Sequence, residues 1–314
     1  MKVIACIKLF NEEDYITECL YAIYPYVDRI IILESCFDAM AKIVRTDRMR
    51  NLGLSGDSTH EKIIGFADYA GKIEYHQLGF TNGDQTIIYN QFVDSADVGD
   101  YIWMVDADEV YQSDLCEWIR LQIDHEKYHA FWLPNKLFWH SFSHRRTDPG
   151  WCRPHQRIYM KVDESAHYAE RNLDVRWEDS AGNTYGFGKP PKMTHYKGSD
   201  YHTFVGELGI HAYHHYAYVR TPQRMLEKLV SQYLQNEEPL KDSEYKHCQQ
   251  YRDAIEFKIM THPWFTGLEL DDVEPYDRAN HPVWMKDNPW YHEQWNQQRS
   301  TIGYEEASNM LVAT

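Results

Sequence analysis

The sequence lacks any uncharged apolar run that approaches the roughly 20 residues a helix needs to span a bilayer. Its opening stretch, MKVIACIKLFNEED, turns acidic before the apolar segment is long enough for a signal peptide. Its six cysteines include no close pair, which is unlike a disulfide framework or a zinc site and typical of a reduced chain. These absences predict a cytoplasmic protein with no integral membrane segment.

The chain also lacks a basic excess, because 32 Lys and Arg stand against 48 Asp and Glu. A net charge of −16 argues against nucleic acid or an anionic membrane as the main partner, since both require a basic surface. A small phosphate-bearing molecule is still compatible, provided that a metal or a local basic group meets its charge. Aromatic residues make up 15% of the chain, and most of them are expected to pack the core.

The first third of the chain alternates strand and helix patterns. Apolar runs at 3–9, 29–35, 72–78 and 101–108 are separated by helical patterns at 14–25, 59–70 and 84–96. A helix over 113–126 and strands over 129–139 and 156–162 are expected to follow. This alternation predicts an α/β fold with a mostly parallel sheet, in which ligands bind beyond the carboxyl ends of the strands.

Two further helices are expected near the C-terminus, over 221–234 and 243–261. We therefore expect a catalytic domain over 1–220 and a helical C-terminal extension over 221–314. Within the catalytic domain, residues 1–110 would form the nucleotide-binding half and 111–220 the acceptor half.

The run YIWMVDADEVY (101–111) carries the strongest chemical signal. Asp106 and Asp108 follow a strand built to be buried, where uncompensated charge is costly. Two carboxylates at this spacing can reach one Mn²⁺ or Mg²⁺, which prefers oxygen ligands and bridges to a diphosphate. The alternative is a solvated acidic turn. Glu109 is expected to orient this group or to cap the following turn.

The segment IACIKLFNEEDYITECLYAIYPYVDRIIILES, with WMVDADE about 70 residues later, resembles the opening of GT-A glycosyltransferases of the family 2-like group. The resemblance covers residues 1–135 well and extends loosely to about 220. It implies a GT-A, Rossmann-like fold with a mixed, mostly parallel sheet flanked by helices. It also implies a nucleotide-diphosphate sugar as donor, a UDP-sugar first, and a saccharide or other hydroxyl as acceptor.

Nucleotide-binding positions follow from this resemblance. Asn11, Glu12 and Glu34 would contact the base and its ribose. The second strand ends in LESC (33–36) where the family has an Asp-Asp-Gly-Ser-like turn, and Glu34 is one methylene longer than Asp. For Asn11 a helix N-cap is the open alternative. Lys8 either reaches a phosphate or offsets the neighbouring acids.

The resemblance also implies a metal site. Asp106 and Asp108 would contact the metal and the ribose. The segment HAYHHYAYVRTP (211–222) resembles the downstream element from which several GT-A enzymes add a histidine to the metal shell. His215 is the first choice and His211 the second, since neutral imidazole suits Mn²⁺. A structural role for these histidines is the alternative.

Basic residues near these motifs are candidates for the diphosphate or the acceptor. Arg220 could donate two hydrogen bonds to the diphosphate, and a surface ion pair is the alternative. The segment WCRPHQR (151–157) places Arg153, His155 and Arg157 in the expected acceptor or phosphate region.

The catalytic groups are less well defined by the sequence. Asp108, Arg220 and Glu207 are the candidates, with Glu207 as an available carboxylate for deprotonating the acceptor. The Asp-Ala-Asp motif with a distal histidine resembles some retaining members, which need no strong base. The inverting and retaining alternatives both stay open.

Two other functions compete with this interpretation. A nucleotidyltransferase uses the same acidic metal site, but it would want a glycine- and lysine-rich phosphate loop where this chain has the acidic turn NEED (11–14). A non-catalytic glycan-binding module would bind glycans without any nucleotide, and its acids would hold a structural cation.

Overall fold

A seven-stranded mixed sheet forms the centre of the protein. We describe it from a computed structural model. The residues described are 1–36, 47–81, 85–148, 152–168, 175–178, 184–186, 203–220, 224–225, 228 and 273–292.

Fifteen strands and five α-helices have defined bounds in these ranges. The strands are β1 (Val3–Leu9), β2 (Arg29–Cys36), β3 (Ile73–Phe80), β4 (Tyr101–Asp106), β5 (Glu109–Val110), β6 (Ala130–Leu133), β7 (Asn135–Trp139), β8 (His144–Arg146), β9 (His155–Met160), β10 (His167–Tyr168), β11 (Val175–Glu178), β12 (Thr184–Gly186), β13 (Thr203–Val205), β14 (Tyr213–Tyr218) and β15 (Val273–Pro275). The helices are α1 (Ile16–Ile23), α2 (Asp47–Leu52), α3 (Thr59–Ile64), α4 (Gln85–Asp94) and α5 (Ser113–Asp124).

The central sheet has the order β13-β6-β9-β4-β1-β2-β3. Strands β4, β1, β2 and β3 are parallel to one another, β13 is parallel to β6, and β9 runs antiparallel between β4 and β6. This confirms the predicted α/β fold with a mixed, mostly parallel sheet. The register sets Lys8 beside Asp106 and Leu9 beside Glu34, so the carboxyl ends of three strands share one edge.

Burial on both faces explains why the central strands read as continuous apolar runs. In β1, Ala5 and Ile7 belong to the core cluster that includes α1, whereas Ile4 and Cys6 belong to the cluster that includes α4. Both faces of a parallel sheet are covered in this way, and no polar alternation appears.

A second sheet, with the order β15-β8-β7-β14-β5, brings a distant segment to the acids. Strand β5 follows directly after β4 and pairs antiparallel with β14, where His215 lies opposite Glu109. A third sheet has the order β10-β11-β12. The pairing of β5 with β14 is the reason that a histidine about a hundred residues downstream reaches the end of β4.

Two predicted elements differ from the structure. The single strand expected over 129–139 is divided at Pro134 into β6 in the central sheet and β7 in the second sheet, because proline has no N–H to donate to a ladder. The helix expected over 59–70 ends at Ile64.

The C-terminal region is described only in part. Residues 273–292, expected in a helical extension, form β15 and three 3₁₀ turns, and Met285 and Tyr291 join the core cluster of β1. The helix expected over 221–234 is described only at residues 224, 225 and 228, which are helical, and that over 243–261 lies outside the described residues. The domain boundary at residue 220 stays a prediction.

Two further expectations concern membranes and cysteines. No helix in the described part of the chain is long and apolar enough to cross a bilayer. Within the same residues all five cysteines are buried and none of them forms a disulfide, namely Cys6, Cys19, Cys36, Cys116 and Cys152. Cys248 lies outside the described ranges.

Two glycines allow a backbone crossing that positions the loop after α2. Gly53 and Gly79 both have positive φ, at 65° and 71°. A Cβ on Gly79 would lie 2.6 Å from the carbonyl oxygen of Leu52, and one on Gly53 would lie 2.7 Å from the amide nitrogen of Phe80. The two segments therefore cross with no room for a side chain, and the loop over residues 54–58 begins at this crossing.

The variant Gly79→Ala tests this close approach, with Gly71→Ala as its matched control. Both positions have positive φ and share a backbone cost of about 1–2 kcal/mol, but a Cβ on Gly71 meets nothing within 4 Å. We expect Gly79→Ala to lower the free energy of unfolding in urea by about 1–3 kcal/mol more than Gly71→Ala. Equal losses in the two variants would show that the crossing tolerates a methyl group.

Candidate functional site

Three acids at the end of β4 form the centre of the candidate site. Asp106 is the last residue of β4, and its side chain is 46% exposed. Asp108 is 5% exposed and Glu109 is fully buried. Buried carboxylates are stable only when hydrogen bonds and opposite charges compensate them, so their partners define the site.

Arg157 on β9 compensates Glu109. Its guanidinium contacts a carboxylate oxygen of Glu109, and its Nη1 lies 3.2 Å from Oδ2 of Asp106. Its Nε donates to the Tyr213 hydroxyl at 3.0 Å. Burial lowers the pKa of Arg157, but the neighbouring Glu109 outweighs burial and the pKa lies well above its usual value. Burial raises the pKa of Glu109 even so.

Glu109 also organises the turn after β4, as predicted for a group that orients the acids. Its Oε2 accepts hydrogen bonds from the Asp106 amide at 3.3 Å and from the Tyr111 hydroxyl at 3.2 Å. Glu109 is therefore committed to protein partners, and Asp106 is the acid that faces solvent.

Asp108 is surrounded by three basic groups. Its Oδ1 lies 3.3 Å from Nε2 of His215, while its Oδ2 accepts from Arg220 at 2.8 Å and from Lys228 at 2.7 Å. Burial raises its pKa, but Lys228, His215 and Arg220 together hold the pKa well below the usual range. Asp108 is thus ionised at neutral pH, and His215 lies where the sequence placed the downstream histidine.

Arg220 joins the turn after β1 to the acids after β4. Its guanidinium contacts Oε2 of Glu12 at 2.6 Å, Oδ2 of Asp14 at 3.3 Å and Oδ2 of Asp108 at 2.8 Å. It also lies over the Tyr15 ring at 5.7 Å. The side chain is 2% exposed, so the alternative of a surface ion pair is wrong.

Arg224 and Lys228 extend this row of cations. Arg224 lies 2.6 Å from Oδ2 of Asp57 and 3.5 Å from Oδ2 of Asp14, and it also contacts the Asn11 carbonyl. Neither residue is among those that the sequence motifs indicate for the site. Their spacing was the available signal, because Arg224 and Lys228 lie four residues apart in the helix expected over 221–234, which places both side chains on one face.

Asn11 fixes the loop after α2. It has a positive φ of 55°, its amide donates to Oγ of Ser55 at 2.9 Å, and its Oδ1 accepts from the Gly56 amide at 2.9 Å. The N-cap alternative is wrong, because α1 begins at Ile16 with Tyr15 at the N-cap.

Glu34 is also engaged by the protein. Its Oε1 accepts from the Ser55 amide at 2.6 Å, and its Oε2 accepts from Gln77 at 2.9 Å and from the Tyr75 hydroxyl. Burial raises its pKa, but these hydrogen bonds outweigh burial and the pKa is lowered. In this arrangement Glu34 positions the loop that Asn11 also holds.

Two candidates lie away from the acids. The His211 ring packs on Trp118 and Phe204, with ring centroids 4.8 Å apart in each case, and its Nδ1 accepts from the Glu207 amide at 3.2 Å. Glu207 is exposed, and in the described residues it has no contact with Asp106. Neither His211 as a metal ligand nor Glu207 as a base is brought to the acids.

The remaining candidates lie around Asp106. Lys8 is its register partner on β1, with Nζ 5.4 Å from the Tyr89 ring centroid. Burial and the nearby Arg157 and His215 lower the pKa of His155 to about 4. His155 is therefore neutral at physiological pH.

The donor chemistry at this edge is compatible with a divalent metal, although no three-ligand group is preformed. Asp108 and His215 are already in contact, and the half-exposed Asp106 is two residues from Asp108 in the sequence. Two carboxylates and an imidazole suit Mn²⁺. In the part of the chain that the structure describes, no three His, Cys, Asp or Glu side chains are clustered so as to hold a metal.

No family model and no curated protein matches the sequence. Among solved structures, the chain is similar to Staphylococcus aureus TarS 1–349 in complex with UDP, with 14% identity, a TM-score of 0.42 and coverage of 86% of this chain and 76% of that one. It is also similar to the mannosyltransferase PcManGT from Pyrobaculum calidifontis in complex with GDP-Man and Mn²⁺ (17% identity, TM-score 0.30, coverage 43% and 35%).

A third similar structure is glucosyl-3-phosphoglycerate synthase from Mycobacterium tuberculosis, in complex with Mn²⁺, UDP and glucosyl-3-phosphoglycerate. The identity is 15%, the TM-score is 0.27, and 44% of each chain is covered. Because identity and TM-score are low in all three cases, the function of the site has to be argued from its own residues.

The buried position of Arg220 predicts a large loss of stability in Arg220→Met. Removing one cation from buried carboxylates leaves uncompensated charge, which costs about 3–5 kcal/mol. The matched control is Arg120→Met, whose side chain is 30% exposed and pairs with Asp28 and Asp124, for which we expect a loss of about 1 kcal/mol or less. Urea denaturation of both variants measures the difference, and similar losses would contradict the burial argument.

The lowered pKa of Asp108 predicts how its contribution to stability depends on pH. Since the folded pKa lies below the unfolded value, the ionised group stabilises the protein fully above the unfolded pKa of about 3.9 and loses this effect as pH falls through the folded pKa. The difference in unfolding free energy between wild type and Asp108→Asn should shrink as the pH falls below about 4. A difference that stays constant down to pH 3 would contradict the ion pairs.

Proposed function

We propose that this protein is a metal-dependent glycosyltransferase that moves a sugar from a nucleotide-diphosphate sugar, a UDP-sugar first, to a hydroxyl acceptor. The observation that carries the proposal is that Asp106, Asp108 and His215 lie at one sheet edge together with the buried Arg220 and the partly exposed Arg224 and Lys228. This combination supplies oxygen and nitrogen ligands for a metal and positive groups for phosphates in the same place.

In this proposal Asp106, Asp108 and His215 hold Mn²⁺ or Mg²⁺. The ion would supply positive charge to the leaving diphosphate, where negative charge develops. The half-exposed Asp106 is the acid most open to an incoming ion, whereas Asp108 is held in place by three basic partners. We do not assign His211 to the metal, because its ring packs on Trp118.

Arg220, Arg224 and Lys228 are proposed to bind the diphosphate. In the structure all three are paired with carboxylates of the site. Arginine presents paired donors that match phosphate oxygens, and preorganised positive groups stabilise the charge of the leaving group. Arg220 lies between the turn after β1 and Asp108. It would therefore keep the three cations in position to contact the diphosphate of the donor.

The loop held by Asn11 and Glu34 is proposed to form one wall of the nucleotide pocket. Both residues bind backbone amides of this loop, at Gly56 and Ser55. Asn11 and Glu34 would then contribute to base or ribose binding by positioning the loop after α2. Glu12, whose carboxylate is bound by Arg220, would act with that arginine.

The turn after β1 argues against a nucleotidyltransferase. Its residues Glu12 and Asp14 bind Arg220. Asn11 has a positive φ at a position where a phosphate loop would have glycine. A triphosphate would therefore meet carboxylates at this position.

The test is a screen of UDP-, GDP-, CMP- and dTDP-sugars, with and without Mn²⁺, by thermal shift and by release of the nucleotide. We expect one nucleotide class to stabilise the wild type only with Mn²⁺ and to be hydrolysed slowly. Asp106→Asn should lose both effects, with turnover reduced by about 100-fold or more. Its half-exposed side chain makes this variant suitable for the test, because the fold depends on it less than on Asp108.

Asp124→Asn is the matched control, since Asp124 is an exposed acid paired with Arg120 on α5. It should behave like wild type. Stabilisation by glycans alone, with no response to any nucleotide, would replace the transferase by a glycan-binding module. A response to nucleotides that Asp106→Asn retains would contradict the proposed site.

A further inference from the structure

A polar cavity lies on the opposite side of the five-stranded sheet from the acids. Its volume is about 560 Å³, within the usual range of small-molecule sites. Lys136 of β7 lies beside His214 of β14, whereas Leu137 lies beside His215. Because successive side chains of a strand point to opposite faces, Lys136 faces this cavity and His215 faces Asp108.

The two acids that line the cavity are already engaged. Glu274 on β15 forms an ion pair with Arg145 on β8. Asp277 caps the 3₁₀ turn that follows, where its Oδ1 accepts from the Ala279 amide at 2.9 Å. These acids therefore satisfy local partners rather than the lysine of the cavity.

Lys136 forms no ion pair with a carboxylate among the described residues, and the attraction of Asp114 is weaker than the combined effect of burial and Arg145. Its Nζ lies 5.9 Å from the centroid of the Tyr276 ring, and the guanidinium of Arg145 lies 5.6 Å from the same ring. Burial and the positive charge of Arg145 lower the pKa of Lys136. An ammonium group held beside a second cation in a half-buried position is stabilised when an anion binds between them.

The other lining groups suit a hydroxylated molecule. The Gln112 side chain lies at the rim, where its Nε2 donates to the Asn280 carbonyl at 3.0 Å and leaves its Oε1 as an acceptor. Tyr276 and Pro275 form the apolar part of a wall that is otherwise mostly polar. A cavity of this size with two cations, two engaged acids, amide groups and an aromatic ring matches a monosaccharide better than a bare ion.

We propose that this cavity binds a small anionic carbohydrate, a sugar that carries a phosphate or a carboxylate, with Lys136 meeting the anionic group. The site does not depend on the proposed transferase activity, because its residues do not include Asp106, Asp108 or the cations that bind them. The protein could therefore bind an acidic sugar in this cavity and a different ligand at the edge of the central sheet.

Isothermal titration with four probes tests the proposal, namely glucose 6-phosphate, glucuronate, glucose and inorganic phosphate. We expect saturable binding of glucose 6-phosphate, of glucuronate or of both, and much weaker binding of glucose and of inorganic phosphate. The two anionic probes distinguish a phosphate from a carboxylate as the recognised group. Lys136→Met should weaken the binding by about 10-fold or more, as expected for the loss of a charged hydrogen-bond donor.

Lys127→Met is the matched control, because Lys127 is exposed and its Nζ lies 5.2 Å from the Tyr128 ring. It should bind like wild type, and Lys136→Arg, which keeps the charge, should retain most of the affinity. Far-ultraviolet circular dichroism checks that the variants are folded. Absence of binding to both anionic sugars, binding that Lys136→Met leaves unchanged, or equally tight binding of inorganic phosphate would each overturn the proposal.

Discussion

The burial of Asp108 and Glu109 at the end of β4 is the constraint on which the rest of the site depends. Neither carboxylate can stay ionised there without positive partners. Arg157 reaches Glu109 from the neighbouring strand β9, while His215, Arg220 and Lys228 reach Asp108 from the segment around β14. The pairing of β5 with β14 and the insertion of β9 beside β4 are therefore as important to the site as the acids themselves.

The same cations connect distant parts of the chain. Arg220 binds carboxylates from the turn after β1 and from the end of β4, and Arg224 adds the loop that carries Asp57. The phosphates of a ligand would offer the arginines new anionic partners, and a metal ion would offer the carboxylates a new cationic partner. In this proposal, exchange of partners links donor binding to the contacts of Arg220, Arg224 and Lys228 with the acids.

The sequence was sufficient for the features that are local. The apolar run before Asp106 and the alternation of elements defined β4 and a mostly parallel sheet, which the structure confirms. The choice between His215 and His211 depended on where β14 begins. His215 lies within the strand, opposite Glu109, whereas His211 precedes it and packs on α5.

Other features could not be obtained from local patterns. The burial of Arg220 and the engagement of Glu34 depend on partners far away in the chain, so composition and spacing do not indicate them. Pro134 did offer a local signal for the break between β6 and β7. The four-residue spacing of Arg224 and Lys228 was a local signal that both side chains lie on one face of a helix.

The central claim is that the acids after β4 bind a divalent metal together with a nucleotide diphosphate. The most direct measurement is electron paramagnetic resonance of Mn²⁺ titrated with the protein in the presence of UDP, since the six-line signal of free Mn²⁺ disappears on binding. We expect loss of the signal with about one ion per chain for wild type, and an unchanged signal for the double variant Asp106→Asn with Asp108→Asn. The same loss of signal in both proteins, or none in either, would contradict it.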